Sequence, residues 1–143
     1  MDFPVGSVVE QLQETKTSDF SQKLSVLQQQ NFTGYIVETI DGVYGLEEGM
    51  LFMKQGQVIA CLHRFESNGY ELRGQEALQF FFNGARATGF FDVVQLSNQQ
   101  IDLVTAFDEK LLLTQQLDLK DLTKLIPVAY STQFVENYFQ QKK

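Results

Sequence analysis

The sequence predicts a single α+β domain spanning 1–143: an antiparallel meander sheet of four or slightly more strands, packed by helices. Three observations carry this. FTGYIVETI (32–40), GMLFMK (49–54) and QVIACLHRF (57–65) are rich in β-branched and aromatic residues and are separated by glycine turns. GQEALQFFFNGAR (74–86) instead places Ala77, Leu78, Phe81, Phe82 and Ala85 on one helical stripe. The chain has 143 residues, 43% of them hydrophobic, enough for one ordinary core; its 13 Phe and absent Trp assign that interior to phenylalanine and branched aliphatics.

Taken in order, VVEQLQ after Gly6 and Ser7 spaces Val8, Val9 and Leu12 three or four apart and predicts a short helix. Asp19, with Gln22 three residues on, caps a second helix over about 20–30, which Asn31 can end in the left-handed conformation. FTGYIVETI then runs into Asp41-Gly42, a strong hairpin dipeptide, and a return strand over 43–53. Gly45 and Gly49 inside that long strand predict a bulge or bend near Glu48-Gly49. Lys54-Gln55-Gly56 turns the chain into QVIACLHRF, and SNGYELRG reads as a loop before the Phe-rich helix. TGFFDVVQL supplies a fourth strand. Ser97 and Gln100 form a capping box for a helix through Ile101, Val104, Phe107 and Leu111. A helix through Leu119, Leu122 and Leu125 stops ahead of Pro127, and Ser131 caps a last one, TQFVENYFQQKK.

Composition excludes several roles. The formal charge is -7 and the basic residues are scattered, so no cluster exists to neutralise nucleic-acid phosphates or to bind an anionic membrane. No apolar run approaches the roughly 18 residues of a membrane helix, and the acidic start MDFPVGSVVEQL lacks a signal peptide's basic segment, so a soluble, cytoplasmic protein is expected. A lone Cys61 permits no internal disulfide. The short glutamine runs read as neutral helix surface and point to a mesophilic or only mildly warm source.

Candidate sites are few. Cys61 and His63 lie two apart on a predicted strand and share a face, but a zinc site needs more ligands of that kind than the chain holds, so both read as structural. Glu47 and Glu48 are adjacent and face opposite ways on a regular strand; they could form a cation-binding loop site only if the bend re-aims them, and otherwise they are solvated acids. The glycines at 42, 45 and 49 match no phosphate-binding loop and read as turn and bulge residues. No GxSxG elbow occurs. The helix IDLVTAFDEKLLL sets Asp102, Thr105 and Glu109 opposite an apolar side, which reads as a solvated acidic face, with a partner-binding face as the alternative. The stripe Phe134, Val135, Tyr138 and Phe139 either docks on its own core, the favoured reading, or offers a partner-binding surface.

Thr33-Gly34-Tyr35-Ile36, Gly49-Met50-Leu51-Phe52, Gly56-Gln57-Val58-Ile59-Ala60, Gly74-Gln75-Glu76-Ala77-Leu78 and Gly89-Phe90-Phe91-Asp92, in this order, resemble the PATAN domain of bacterial response regulators and its uncharacterised archaeal relatives. The archaeal group is the more similar, through the acidic EEG segment and a helix like IDLVTAFDEKLL. The resemblance spans about 24–113 and leaves 114–143 as a helical extension. It implies antiparallel strands sandwiched with helices, no catalytic residues, and a signalling or regulatory role through protein contacts. The absent receiver domain, the longer second strand and the helical tail depart from the bacterial pattern, and this chain could be one domain of a longer protein. The expectation is therefore no enzyme and no cofactor, but an interaction module that binds a protein partner or a second copy of itself. A small-molecule or ion sensor, with a pocket between the bent hairpin and the helix of Phe81 and Phe82, is the alternative.

Overall fold

The structure, a computed structural model, describes residues 6–16 and 19–142. Six strands form one open antiparallel sheet: β1 (Ser7–Glu14), β2 (Gly34–Gly42), β3 (Gly45–Lys54), β4 (Gln57–Phe65), β5 (Tyr70–Arg73) and β6 (Gly89–Gln95), in the order β1-β6-β2-β3-β4-β5. The helices are α1 (Phe20–Gln29), α2 (Gln75–Gly84), α3 (Asn98–Phe107), α4 (Leu119–Thr123) and α5 (Thr132–Gln141), with a 3-10 turn at Glu109–Leu111.

Helices pack on both faces of the sheet because β2, β3 and β4 carry apolar side chains on both sides. On one face Ile36, Leu51, Cys61, Phe65 and Phe91 meet α1, α2, α4 and α5; we call this the inner face. On the outer face Met50, Phe52, Ala60, Leu62 and Val94 meet Ile101 and Val104 of α3 and Leu111. Phe20 stands at the centre of the inner core, edge-on to Phe81, Phe82 and Phe91 with centroids 5.6–6.2 Å away.

Local signals placed most elements. Asp19 accepts a hydrogen bond from the Gln22 amide, and Asn31 takes φ 52° beyond α1. Gln55 and Gly56 turn with φ 50° and 83° between β3 and β4. Ser97 and Gln100 close a reciprocal capping box on α3, and Ser131 accepts from the Phe134 amide to open α5. The predicted last helix included Lys143, which lies outside the described residues.

Five expectations are corrected. VVEQLQ is strand β1, not a helix: a helix that short has no packed face to offset its nucleation, whereas Val8 and Val9 suit a strand against the otherwise bare edge of β6. SNGYELRG contains β5, which pairs with β4 from Leu62↔Arg73 to Phe65↔Tyr70. The first hairpin turns at Val43-Tyr44, between the paired Gly42 and Gly45, and not at Asp41-Gly42. Two tertiary contacts hold this later turn: the Val43 amide donates to the Tyr130 hydroxyl, and the Tyr44 ring packs edge-on against Phe139. The strand irregularity is not at Glu48-Gly49, where the β2–β3 ladder is unbroken; it lies between β3 and β4, where Ile59 is the extra residue between the pairs Phe52↔Ala60 and Met53↔Val58. On α3, Phe107 sits not in the apolar stripe but at the helix end, 85% exposed, because the chain tightens into the 3-10 turn before Leu111 reaches the core.

Candidate functional site

The strand β2 alternates Ile36, Glu38, Ile40 on its inner side, so a carboxylate is sent into the middle of the apolar core. Sheet register surrounds it. Across one rung stand Phe91, Glu38, Gly49, His63 and Leu72, on β6, β2, β3, β4 and β5; across the next stand Gly89, Ile40, Glu47, Phe65 and Tyr70. Glu38, His63 and Glu47 thus share the inner face, each essentially without solvent exposure. Glu47 is not a solvated acid. Glu47 and Glu48 both lie within β3 and face opposite ways; Glu48 points outward and accepts from Arg64 at 2.8 Å.

Glu47 is fully engaged. Its Oε1 is 2.7 Å from His63 Nε2, and its Oε2 accepts from the Tyr130 hydroxyl at 3.2 Å. A Glu47 carboxylate can only accept, so Nε2 carries the hydrogen and Nδ1 of a neutral ring is left as an acceptor. The imidazole is held between Phe65 and Phe80, at 5.1 and 5.8 Å between centroids. Among the described residues, neither oxygen of Glu38 nor His63 Nδ1 has a hydrogen-bond partner. Burial first, and the charge of Glu47 second, hold the Glu38 carboxyl well above the usual carboxylate range.

Three glycines make room for these groups. A Cβ on Gly84 would lie 2.5 Å from Glu38 Oε1, and one on Gly42 would lie 1.8 Å from Glu47 Oε2. A Cβ on Gly49 would lie 2.8 Å from the Phe81 ring, 3.0 Å from His63 Nδ1 and 3.1 Å from Glu38 Oε1, so the missing side chain lets these three groups approach one another. Of the glycines at 42, 45 and 49, Gly42 and Gly49 therefore serve side-chain space, and Gly45, at φ 103°, serves as a turn residue. The expected pocket between the hairpin and the helix of Phe81 and Phe82 is filled by this cluster and by Phe81 itself.

Residues after α4 close the cluster from solvent. Ser131 is tied to Asn83 of α2 by two bonds: its amide donates to Asn83 Oδ1 at 2.8 Å and its carbonyl accepts from Nδ2 at 3.1 Å. Arg86 Nε donates to the Pro127 carbonyl at 2.9 Å. Burial, followed by the charge of Glu47 and its hydrogen bond, raises the Tyr130 hydroxyl to about 12, so it stays a donor. The α5 stripe packs on the chain's own core: Val135 is buried, Phe134 stacks on Phe80 at 4.6 Å, Phe139 meets Phe65 at 4.9 Å, and Tyr138 bonds Tyr70 and Glu76.

Cys61 faces the inner core two residues before His63, fully buried, its thiol pushed well up by burial and by Glu38. Among the described residues no group of three or more His, Cys, Asp or Glu side chains is placed to hold a metal ion. A buried carboxylate, imidazole and carboxylate can hold and pass a proton, and all three side chains are buried from solvent.

A second feature lies on the outer face, where α3 covers only the end of the sheet near Phe52 and Val94. The other end is a shallow apolar groove of about 430 Å³ across β1, β6, β2 and β3, lined by Leu12, Val37, Thr39, Leu46 and Phe90 and rimmed by Asp41 and Asp92. Leu12, Leu46 and Phe90 are 64%, 55% and 48% exposed. Leu12 holds φ 52°, costly for a leucine, within an irregular stretch of β1, its amide donating to Asp92 Oδ1 at 2.7 Å.

Among the described residues no helix is long and apolar enough to cross a membrane. No curated protein and no solved structure matches the chain. Residues 1–108 match the model of a family described as uncharacterised proteins conserved in archaea, and the chain belongs to that family.

Proposed function

We propose that this protein is a non-catalytic interaction module whose docking face is the uncovered end of the outer sheet surface. The observation that carries this is the alignment of Leu12, Leu46 and Phe90 on neighbouring strands around one apolar groove. The left-handed Leu12 adds weight, since a strained backbone that presents an apolar side chain to water has no folding benefit of its own. The groove suits an apolar protein surface, a second copy included, and its rim of Asp41 and Asp92 favours a partner with basic residues around its contact. The resemblance to the PATAN domain extends the reading to signalling, with partner choice as the regulated step.

The test is a double substitution, Leu46→Asp with Phe90→Asp, on the full chain. Mass by light scattering and the set of proteins captured from an archaeal extract are compared with wild type. The reading requires complexes that the wild type forms and the variant loses, at an unchanged melting temperature. Identical complexes in both would refute it.

A further inference from the structure

We propose that Glu38, His63 and Glu47 form a proton-binding site, and that the bound proton holds residues 126–142 closed over the inner face. This site lies on the opposite face of the sheet from the docking face. Two geometric observations carry the proposal. Both oxygens of Glu38 and Nδ1 of His63 are buried and unpartnered among the described residues, and Glu38 Oε1 and His63 Nδ1 lie side by side at Gly49, 3.1 and 3.0 Å from where its Cβ would stand. An unbroken chain of contacts then leads outward from His63 Nε2 through both oxygens of Glu47 to the half-buried Tyr130 hydroxyl. The outer-face groove does not reach Glu38. The ligand that fits is a proton, carried on the Glu38 carboxyl, whose oxygens nothing else among the described residues satisfies.

The groups facing the site are few. From β3 comes Glu47, from β4 His63 and the neutral Cys61 thiol, and from the C-terminal segment Tyr130, with Asp41 of the hairpin acting on Tyr130. The β6 neighbour is Phe91, and α2 offers Phe81 and Gly84. Tyr138 of α5 is engaged with Glu76 and Tyr70 at the outer edge. No Lys or Arg is among these groups, so loss of the proton leaves Glu38 and Glu47 as two facing carboxylates in apolar surroundings.

Water can relieve that charge only if some cover lifts. Residues 126–142 are the weakest cover: Val135 is their one fully buried side chain, and Tyr130 anchors them on Glu47 itself. The sign follows from linkage. The closed state raises the affinity of Glu38 for its proton, and the open, hydrated state returns it toward 4.5. Closure is therefore complete at low pH, and the opening constant rises up to tenfold per pH unit between those two affinities.

The experiment measures amide hydrogen exchange of the full chain from pH 5 to 9, corrected for the intrinsic pH dependence, with β4 as the internal control of folding. Wild type should show protection across 126–142 falling with pH while β4 holds. Glu38→Gln should flatten that dependence, and Tyr130→Phe should lower tail protection at every pH. The proposal is overturned if Glu38→Gln follows the wild-type curve, or if the tail and β4 lose protection only together. A measurement that needs no variant guards against a misfolded one: the carboxyl carbon resonance of Glu38 in wild type must titrate with the same midpoint as the α5 amides. Separate midpoints, or no titration in this range, would also overturn it.

Discussion

Replacing Glu38 by glutamine should stabilise the protein, and by an amount that grows with pH. The carboxyl is fully buried, makes no hydrogen bond among the described residues, and binds its proton more tightly in the folded chain than in the unfolded one. The folded state therefore holds one more proton above pH 4.5, the ordinary value, and folding stability contributed by that proton is present below 4.5 and lost as pH rises toward the folded value. One proton changes the unfolding free energy by about 1.4 kcal/mol per pH unit. For a domain of this size that is about 5 °C in melting temperature per unit. Glutamine is nearly isosteric and cannot ionise, so it removes the slope. Thermal unfolding of both proteins from pH 4 to 9 gives the difference directly, with the other titrations cancelling. A gap near zero at pH 4 that widens upward supports the reasoning. A gap independent of pH, or a variant that is less stable at pH 8, would refute it.

Gly84→Ala should destabilise by about 1–3 kcal/mol although alanine favours a helix, because its methyl would overlap Glu38 Oε1. In a Glu38→Ala background the same change should cost nothing, and equal costs in both backgrounds would mean that the carboxylate is not the obstacle. Phe134→Ser with Phe139→Ser should lower unfolding free energy by about 3 kcal/mol or more, since both rings pack on Phe80 and Phe65, and leave the solution mass unchanged. A changed mass at full stability would instead assign the stripe to a partner. Cys61 should resist thiol reagents in the folded protein at pH 8 and react on denaturation; rapid native labelling would contradict its burial.

Most of the fold was legible because its signals are local. Asp19, Gln55-Gly56, Ser97 with Gln100, and Ser131 each act within three or four residues, and each stands where its pattern places it. The misread elements depend on distant partners. β1 exists because β6 offers an edge, and the first hairpin turns late because Tyr130, 87 residues from Val43, grips that amide. The buried cluster was half visible. The alternation Ile36, Glu38, Ile40 already directs an acid inward, and that is the signal by which Glu38 could have been found. His63 and Glu47 were singled out, but their pairing is cross-strand and skips Gly49, whose role is to be empty of side chain. Such a role leaves no mark distinguishable from a turn glycine. Tyr130 could not have been found at all, being 83 residues from Glu47 with no motif between them.

The central claim is that Glu38 keeps its proton inside the folded core at neutral pH. Infrared difference spectroscopy of wild type against Glu38→Gln at pH 7 tests it most directly. The carbonyl stretch of a protonated carboxylic acid should be present in the wild type and absent from the variant. If the variant instead loses only a carboxylate band, Glu38 is ionised at pH 7 and the claim fails.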